Sequence, residues 1–397
     1  MIHASALNLC LGTAIVCASS HAGLTRYIDL PPGVYQYVSG MSADGSTLIV
    51  IYPYLSAAWL WRDSAGYVSL PNATYPRHGG LSRDGSMVVG GKEGQGAFRL
   101  HVESMQYDYP PSNSPDARAI AISPDGATVL YTSDAGTFLW QGASEIRVMD
   151  TRTESGRISD DGRVVGIGAG YSSALWTQEA GLQQLNTGYV REVFVSSDGT
   201  NAMALDEYGR RSQLRFWQVL GNGTVIAGDR LDVDVVGVGG ASPDCSIIGI
   251  YPSYNPYPGP QASFWRRGYG FGTITDLFAP DGAALPGLLY SEPWLGAISA
   301  SNRIFAGTAD FVTRAGEYTR KIWLVDLDRS CPGELTFDAL VDDDDFVVFA
   351  AAYSTYACPA PEDESPFGCD ADLDHSGFVD DADFVIFAQA YDTMLCP

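Results

Sequence analysis

The chain reads as all-β, a seven-bladed β-propeller followed by a small helical domain. Three observations predict this. A four-residue turn motif recurs seven times. Four short apolar runs surround each copy. The charge then changes abruptly near residue 331. The motif is clearest at Ser123-Pro124-Asp125-Gly126, with Ala119–Ile122 before it and Val129-Leu130 after it.

At 397 residues the chain exceeds one ordinary core, and 46% hydrophobic with 12% aromatic residues describes a packed protein. The formal charge of −24 argues against nucleic acid or an anionic membrane as a partner. Residues 331–397 hold 16 acidic residues and no Lys or Arg, so two thirds of that excess sits in the tail. Three segments follow: 1–22, 23–330 and 331–397.

Residues 1–22 read as a secretory signal peptide, and the expected location is extracellular or at the cell surface. Leu7–Ala18 is apolar but too short to span a bilayer, and Ser20-His21-Ala22 fits a small-x-small cleavage site. The start lacks the usual Lys or Arg. No other run is long enough for a membrane span.

In residues 23–330 the seven anchors are Ser42, Ser82, Ser123, Ser159, Ser196, Ser242 and Ser299, at steps of 40, 41, 36, 37, 46 and 57 residues. A period near 40 with several short strands is the mark of propeller blades. Asp-Gly between apolar runs makes a hairpin turn, because Gly accepts positive φ without a Cβ clash. Two anchors depart from the pattern: Asn302 tolerates that conformation, and Cys245 fits it poorly, so the sixth turn is expected to differ.

Each unit divides into strands A to D. In the first these are Tyr37–Met41, Thr47–Tyr52, Ala57–Trp61 and Tyr67–Leu70. Strand C is aromatic in every unit (Trp61, Phe98, Phe138 with Trp140, Trp176, Trp217, Trp265, Trp323), and these rings are expected to fill the space between blades. The seventh unit lacks strand D, while Leu24–Leu30 is a spare strand before the first unit. Joined, they would close the ring and remove two open sheet edges.

The order apolar-Ile-Ser-x-Asp-Gly, Val-Val-Gly, then an aromatic strand of the Ala-Phe-x-Trp kind, carried by Ile122–Gly126, Met87–Gly90, Val164–Gly166 and Ser173–Trp176, resembles the HAF extracellular repeats of secreted bacterial proteins. The resemblance covers roughly residues 36–325. It implies a propeller-like fold and secretion, and little about activity.

The repeats show no HExxH, CxxC or phosphate-binding glycine loop. Ser-x-Asp-Gly differs from the Asp-box of sialidases, since Gly follows Asp directly. Asp206-Glu207 reads as a solvated turn. No catalytic residue is assigned. A binding role is expected from tyrosines in the B–C loops: Tyr52, Tyr54, Tyr171, Tyr251, Tyr254 and Tyr257, stiffened by prolines such as Pro53 and Pro256. D–A connections add Tyr75, Tyr107, Tyr109, Tyr189, Tyr290 and Trp294, and both sets emerge on one face. Such rings suit stacking on carbohydrate or docking an extracellular protein.

The tail is an internal duplication with an offset of 38: Cys331 meets Cys369, Val341 Val379, Phe346 Phe384, Phe349 Phe387, Tyr353 Tyr391 and Cys358 Cys396. Equal spacing of the cysteines in an exported chain points to two disulfides, one per half. Four cysteines permit three pairings, and the repeat chooses among them. The second half places Asp372, Asp374, Ser376, the Phe378 carbonyl, Asp380 and Asp383 at the oxygen-ligand positions of a calcium loop, with Gly377 at the sharp turn. The first half offers Glu334, Thr336, Asp338, the Leu340 carbonyl, Asp342 and Asp345. Ala339 replaces the glycine there, so that site is expected to bind Ca²⁺ weakly.

Duplicated loop-then-helix units of this kind resemble the dockerin module of secreted polysaccharide-degrading bacteria. The resemblance implies Ca²⁺ and a cohesin-like partner. Two functions follow: a non-catalytic binding protein attached through its tail, or a polysaccharide-active propeller enzyme, a glycosidase or lyase, docked through it.

Overall fold

The computed structural model describes residues 24–30, 37–52, 57–70, 73–75, 80–185, 187–208, 211–233, 235–252, 263–278, 293–299, 301–312, 318–327, 333, 335, 341–354, 371, 373 and 378–393. Among them, seven antiparallel sheets follow one another in chain order, six of four strands and one of three. Blade one is Tyr37–Met41, Thr47–Tyr52, Ala57–Arg62 and Gly66–Ser69. Blade two has Met87–Lys92, Gly96–His101 and Gln106–Asp108, and its inner strand is reduced to a bridge between Leu81 and Val88.

The ring closes as the spare segment suggested. Leu24–Asp29 pairs antiparallel with Tyr318–Asp326, with Ile28 opposite Ile322, and forms the outer strand of blade seven. First and last segments thus share one sheet, whose inner strands are Trp294–Ile298 and Ile304–Val312. Arg26 on the closing strand pairs with Asp63 of blade one and lies 5.7 Å from the Trp61 ring centroid.

The seven turns share one hydrogen-bond pattern, and it explains why Ser and Asp recur. The serine Oγ donates to Asp Oδ1 two residues on, at 2.7 Å from Ser42 and 2.5 Å from Ser123. The same Oγ accepts the amide five residues on, at 3.0 Å from Thr47 and 2.9 Å from Thr128. The Asp accepts a second amide, at 3.1 Å from Ser46. All seven serines are buried, so one hydroxyl satisfies a buried N–H that no strand partner reaches. Gly126 adopts φ 75°, and a Cβ there would lie 2.6 Å from Met87 Sδ of the preceding blade, which would have to move aside.

The expectation that the sixth turn differs is corrected. Cys245 adopts φ 55°, Ser246 N–H donates to Asp244 Oδ1 at 3.0 Å, and Ile247 N–H to Ser242 Oγ at 2.8 Å. Buried contacts with the Phe194–Met203 cluster accompany the left-handed conformation, and burial pushes the thiol up to about 12. In the seventh turn Ser301 stands in for Asp, its Oγ 3.1 Å from Ser299 Oγ.

Strand-C rings pack the blades together: Trp61, Phe98, Trp140, Trp217, Trp265 and Trp323 are buried, and Trp176 is half-buried. A short helix absent from the sequence reading, α1 (Ile274–Phe278), links blades six and seven. It places Phe278 5.3 Å from Phe305 and 5.9 Å from Trp323.

The tail contributes α2 (Asp343–Tyr353) and α3 (Asp381–Thr393). Leu335, Val341, Phe349, Ala371, Val379 and Phe387 form its own core. No described helix is long and apolar enough to cross a membrane.

Candidate functional site

The tail is built about an internal near-two-fold axis. Phe349 of α2 stacks on its counterpart Phe387 of α3, with centroids 4.7 Å apart and planes 19° apart. Tyr353 donates to Asp381 at the start of α3, and Tyr391 donates to Asp343 at the start of α2. Equivalent residues therefore clasp the two helices at both ends, as the offset of 38 requires.

Each helix begins at a loop aspartate. Asp342 caps α2: its Oδ1 accepts Asp344 N–H at 2.9 Å, and its own N–H donates to Asp345 Oδ2 at 2.9 Å. Asp380 repeats this at α3, accepting Ala382 N–H at 2.8 Å and donating to Asp383 Oδ2 at 2.8 Å. These reciprocal bonds satisfy helix N-terminal donors, and the acidic first turns suit the helix dipole.

Asp345 and Asp383, the last residues of the two loops, are both 0% exposed. Asp345 Oδ1 also accepts Leu335 N–H at 2.6 Å. Two carboxylates thus lie buried in a segment whose sequence contains no Lys or Arg. Burying a carboxylate is costly unless its charge is balanced. A hard cation held by loop oxygens balances it, and aspartates are hard oxygen donors. The sequence reading brought together here is Asp342 with Asp345, and Asp380 with Asp383. The Phe378 side chain is exposed, and its carbonyl is the group the sequence reading uses. Glu334, Thr336, Asp338, Leu340, Asp372, Asp374 and Ser376, and the cysteines Cys331, Cys358, Cys369 and Cys396, lie outside the described residues.

On the propeller, B–C loops and D–A connections share one face. Gly170 N–H, in the B–C loop of blade four, donates to Val190 O at the start of blade five at 3.0 Å. Beside it Tyr171 is 79% exposed, its ring edge-on to Tyr189 with centroids 5.5 Å apart. Tyr109 is exposed and stacks on Tyr107 at 6.2 Å. Trp294 is partly exposed, with the Arg320 guanidinium 5.5 Å from its centroid, and Arg320 forks onto Asp310 at 2.6 and 2.7 Å. Tyr75 is a correction: it is 7% exposed and packs inward, 6.0 Å from Phe98. Tyr52 is the last residue of its strand on this side, and Tyr251 the last but one of its own. Their side chains, and Tyr54, Tyr254, Tyr257 and Tyr290, lie outside the described residues.

Asp206 is a second correction. It does not lie in a solvated turn but in strand B of blade five (Asn201–Tyr208), 0% exposed, with Oδ2 2.7 Å from Arg215 Nε on strand C. An acidic residue in an apolar run (Ala202–Leu205) was a signal of a buried ion pair, and Arg215 alternating with apolar Leu214 and Phe216 was its partner.

The opposite face carries the A–B turns and a cavity of about 520 Å³ lined by Ala43, Asp44, Arg83, Asp84, Pro124, Asp125 and Asp160. The second residues of the first four turns line it, a position that sequence reasoning passed over. Its signal was variation where the flanking Ser and Asp repeat. Arg83 Nη2 donates to both oxygens of Asp160, at 2.7 and 2.6 Å, and to Ser197 Oγ at 3.1 Å. Asp44 and Asp84 are occupied by their turns. Partial burial opposes their charge, but bonds from Ser42 and Ser46, and from Ser82 and Ser86, outweigh it and hold both below the ordinary carboxylate range. Groups held ionised in this way are turn elements, not proton donors near neutral pH.

No protein-family model matches the chain, and no curated protein does. Solved structures do. The β-propeller domain of Cps50 (Swd1) from Myceliophteria thermophila aligns with a TM-score of 0.50 at 12% identity, over 76% of this chain and 99% of that one. TolB from Acinetobacter baumannii aligns at 0.35 and 16% identity, over 53% and 63%. At 12% identity the likeness to the Cps50 domain is one of fold, and it agrees with the β-propeller described above.

Proposed function

We propose that the chain is an exported, non-catalytic binding protein. Its propeller presents an aromatic face to a carbohydrate or extracellular protein, and its tail, resembling a dockerin, binds Ca²⁺ and attaches the molecule to a cohesin-like partner. The observation that carries the reading is the pair of buried carboxylates, Asp345 and Asp383, in a duplicated domain with no Lys or Arg. Asp372, Asp374, Ser376, the Phe378 carbonyl, Asp380 and Asp383 would hold the stronger Ca²⁺, which supplies the balancing charge and couples binding to folding. The signal peptide and the two tail disulfides belong to the same reading, since both suit an oxidising exterior.

The propeller half rests on Tyr171, an exposed ring held edge-on by Tyr189. A ring fixed on one side and open on the other is a stacking surface that needs little ordering on binding. Isothermal titration of the full chain with Ca²⁺, with and without Asp383→Asn, tests the tail. One tight site lost in the variant is expected, and wild type without Ca²⁺ binding refutes that half. Screening the same protein on a polysaccharide panel, for retention and for cleavage together, tests the propeller. Retention lost in Tyr171→Ala supports it, and cleavage favours the enzyme reading instead.

A further inference from the structure

We propose that Arg83 is a strap that joins two arcs of the turn ring across a break made by Pro124, so that the A–B mouth of the propeller can open there without breaking a strand.

Successive turns are linked by main-chain hydrogen bonds between their second residues. Ala43 N–H donates to Arg83 O at 2.7 Å, and Arg83 N–H to Pro124 O at 2.8 Å. Asp160 N–H donates to Ser197 O at 2.8 Å, and Ser197 N–H to Pro243 O. The pattern is N–H of one turn to C=O of the next. Pro124 accepts such a bond but has no N–H to pass it on, so the chain of bonds stops between blades three and four. One arc runs 43–83–124 and a second runs 160–197–243.

The Arg83 side chain spans that gap. It leaves the first arc at blade two, passes the Pro124 turn, and donates to Asp160 and to Ser197 Oγ, the first two members of the second arc. Guanidinium geometry suits this, because its donors form a flat fork that matches a carboxylate. Both partners are part-exposed, Arg83 by 39% and Asp160 by 37%. A part-exposed ion pair is weaker and more easily broken than a buried main-chain bond. Blades three and four share a buried core, but the series of turn hydrogen bonds between them continues only through this breakable side-chain contact, at the rim of the 520 Å³ cavity.

Hydrogen exchange read by mass spectrometry on the full chain tests the strap. Arg83→Met keeps the length and apolar stem of the side chain. It is expected to speed exchange of turn peptides 123–128 and 159–164 about threefold to tenfold, leaving turn 299–304 unchanged. Asp160→Asn should give a smaller change at the same peptides. Pro124→Ala restores an N–H facing the Asp160 carbonyl, and in that background the Arg83→Met effect should shrink by at least half. Unchanged exchange in Arg83→Met, or an equal effect with and without Pro124, overturns the proposal. Should Pro124→Ala unfold, Arg83→Met and Asp160→Asn decide it: additive effects in their double variant refute a shared contact.

Discussion

The propeller and the tail both set aspartates at turns, exposed in the propeller and buried at Asp345 and Asp383 of the tail, and they hold them differently. In the propeller each turn aspartate accepts a serine hydroxyl and local amides, and buried carboxylates such as Asp206 face an arginine. Blade contacts add more cations: Arg157 lies 3.1 Å from Glu192 of the next blade and 5.0 Å from the Phe194 ring centroid. The tail has the same motif of a carboxylate accepting amides, at Asp345 and Asp383, but its sequence offers no Lys or Arg. A repeat that carries its own counter-charges folds by closing a ring. On the proposed reading, the tail takes that charge from Ca²⁺ in solution.

The largest expected effect is on the ring. Deleting residues 24–29 should expose the edge of Tyr318–Asp326 and the adjoining face of blade one, and cooperative thermal unfolding of the propeller should be lost. The milder Ile28→Ala should cost about 2–4 kcal/mol in a chemical denaturation curve, because Ile28 is buried between blades seven and one. A variant within 0.5 kcal/mol of wild type, taken as about the noise of surface substitutions, would break the idea that this strand seals the fold.

Next in size is calcium. At a hundredfold excess over its dissociation constant, Ca²⁺ should stabilise the tail by about 2.7 kcal/mol and leave the propeller transition in place. Two calorimetric transitions, with chelator moving only one, separate the regions. If chelator shifts both equally, the two regions are not energetically distinct as argued.

A single turn comes third. Ser123→Ala leaves the buried Thr128 amide without its acceptor and should cost about 1–3 kcal/mol. The same change at Ser299, whose Oγ likewise accepts the Ile304 amide, should cost less, since its other partner is the hydroxyl of Ser301 in place of a carboxylate. Equal losses at the two sites would remove the aspartate from the explanation.

The smallest effect is of pH. Asp44, Asp84, Asp198 and Asp244 are each partly buried, which opposes their charge, yet the turn hydrogen bonds hold them below the ordinary value of 3.8. A depressed carboxylate binds its proton less readily when folded than unfolded. Its stabilisation is complete above about pH 4–5, and is lost as pH falls through the lowered folded values. Propeller stability should be flat from neutral pH down to that point and then decline. Replacing Asp84 with Asn should flatten the decline slightly, and a decline that starts near pH 6 would implicate histidine instead.

Much of this was legible in the chain. The spacing of Ser42 to Ser299 counted the blades, because each blade is a local four-strand unit with one turn signal, and Leu24–Leu30 matched the strand that the seventh unit lacked. The duplication by 38 residues set which tail residues are equivalent. The rest depended on contacts between distant segments. Nothing local in Ser-Arg-Asp-Gly says that Arg83 meets Asp160, 77 residues on, because only ring closure brings second-position residues around one axis. The same holds for Asp206, whose environment is set by Arg215 on the next strand, and for Tyr75, which looked like a loop ring until Phe98 and Tyr107 buried it. Local turn chemistry and repeat spacing act over a few residues and are written in sequence order. Burial and ion pairing depend on which segments the closed ring makes neighbours, and the tertiary structure alone decides that.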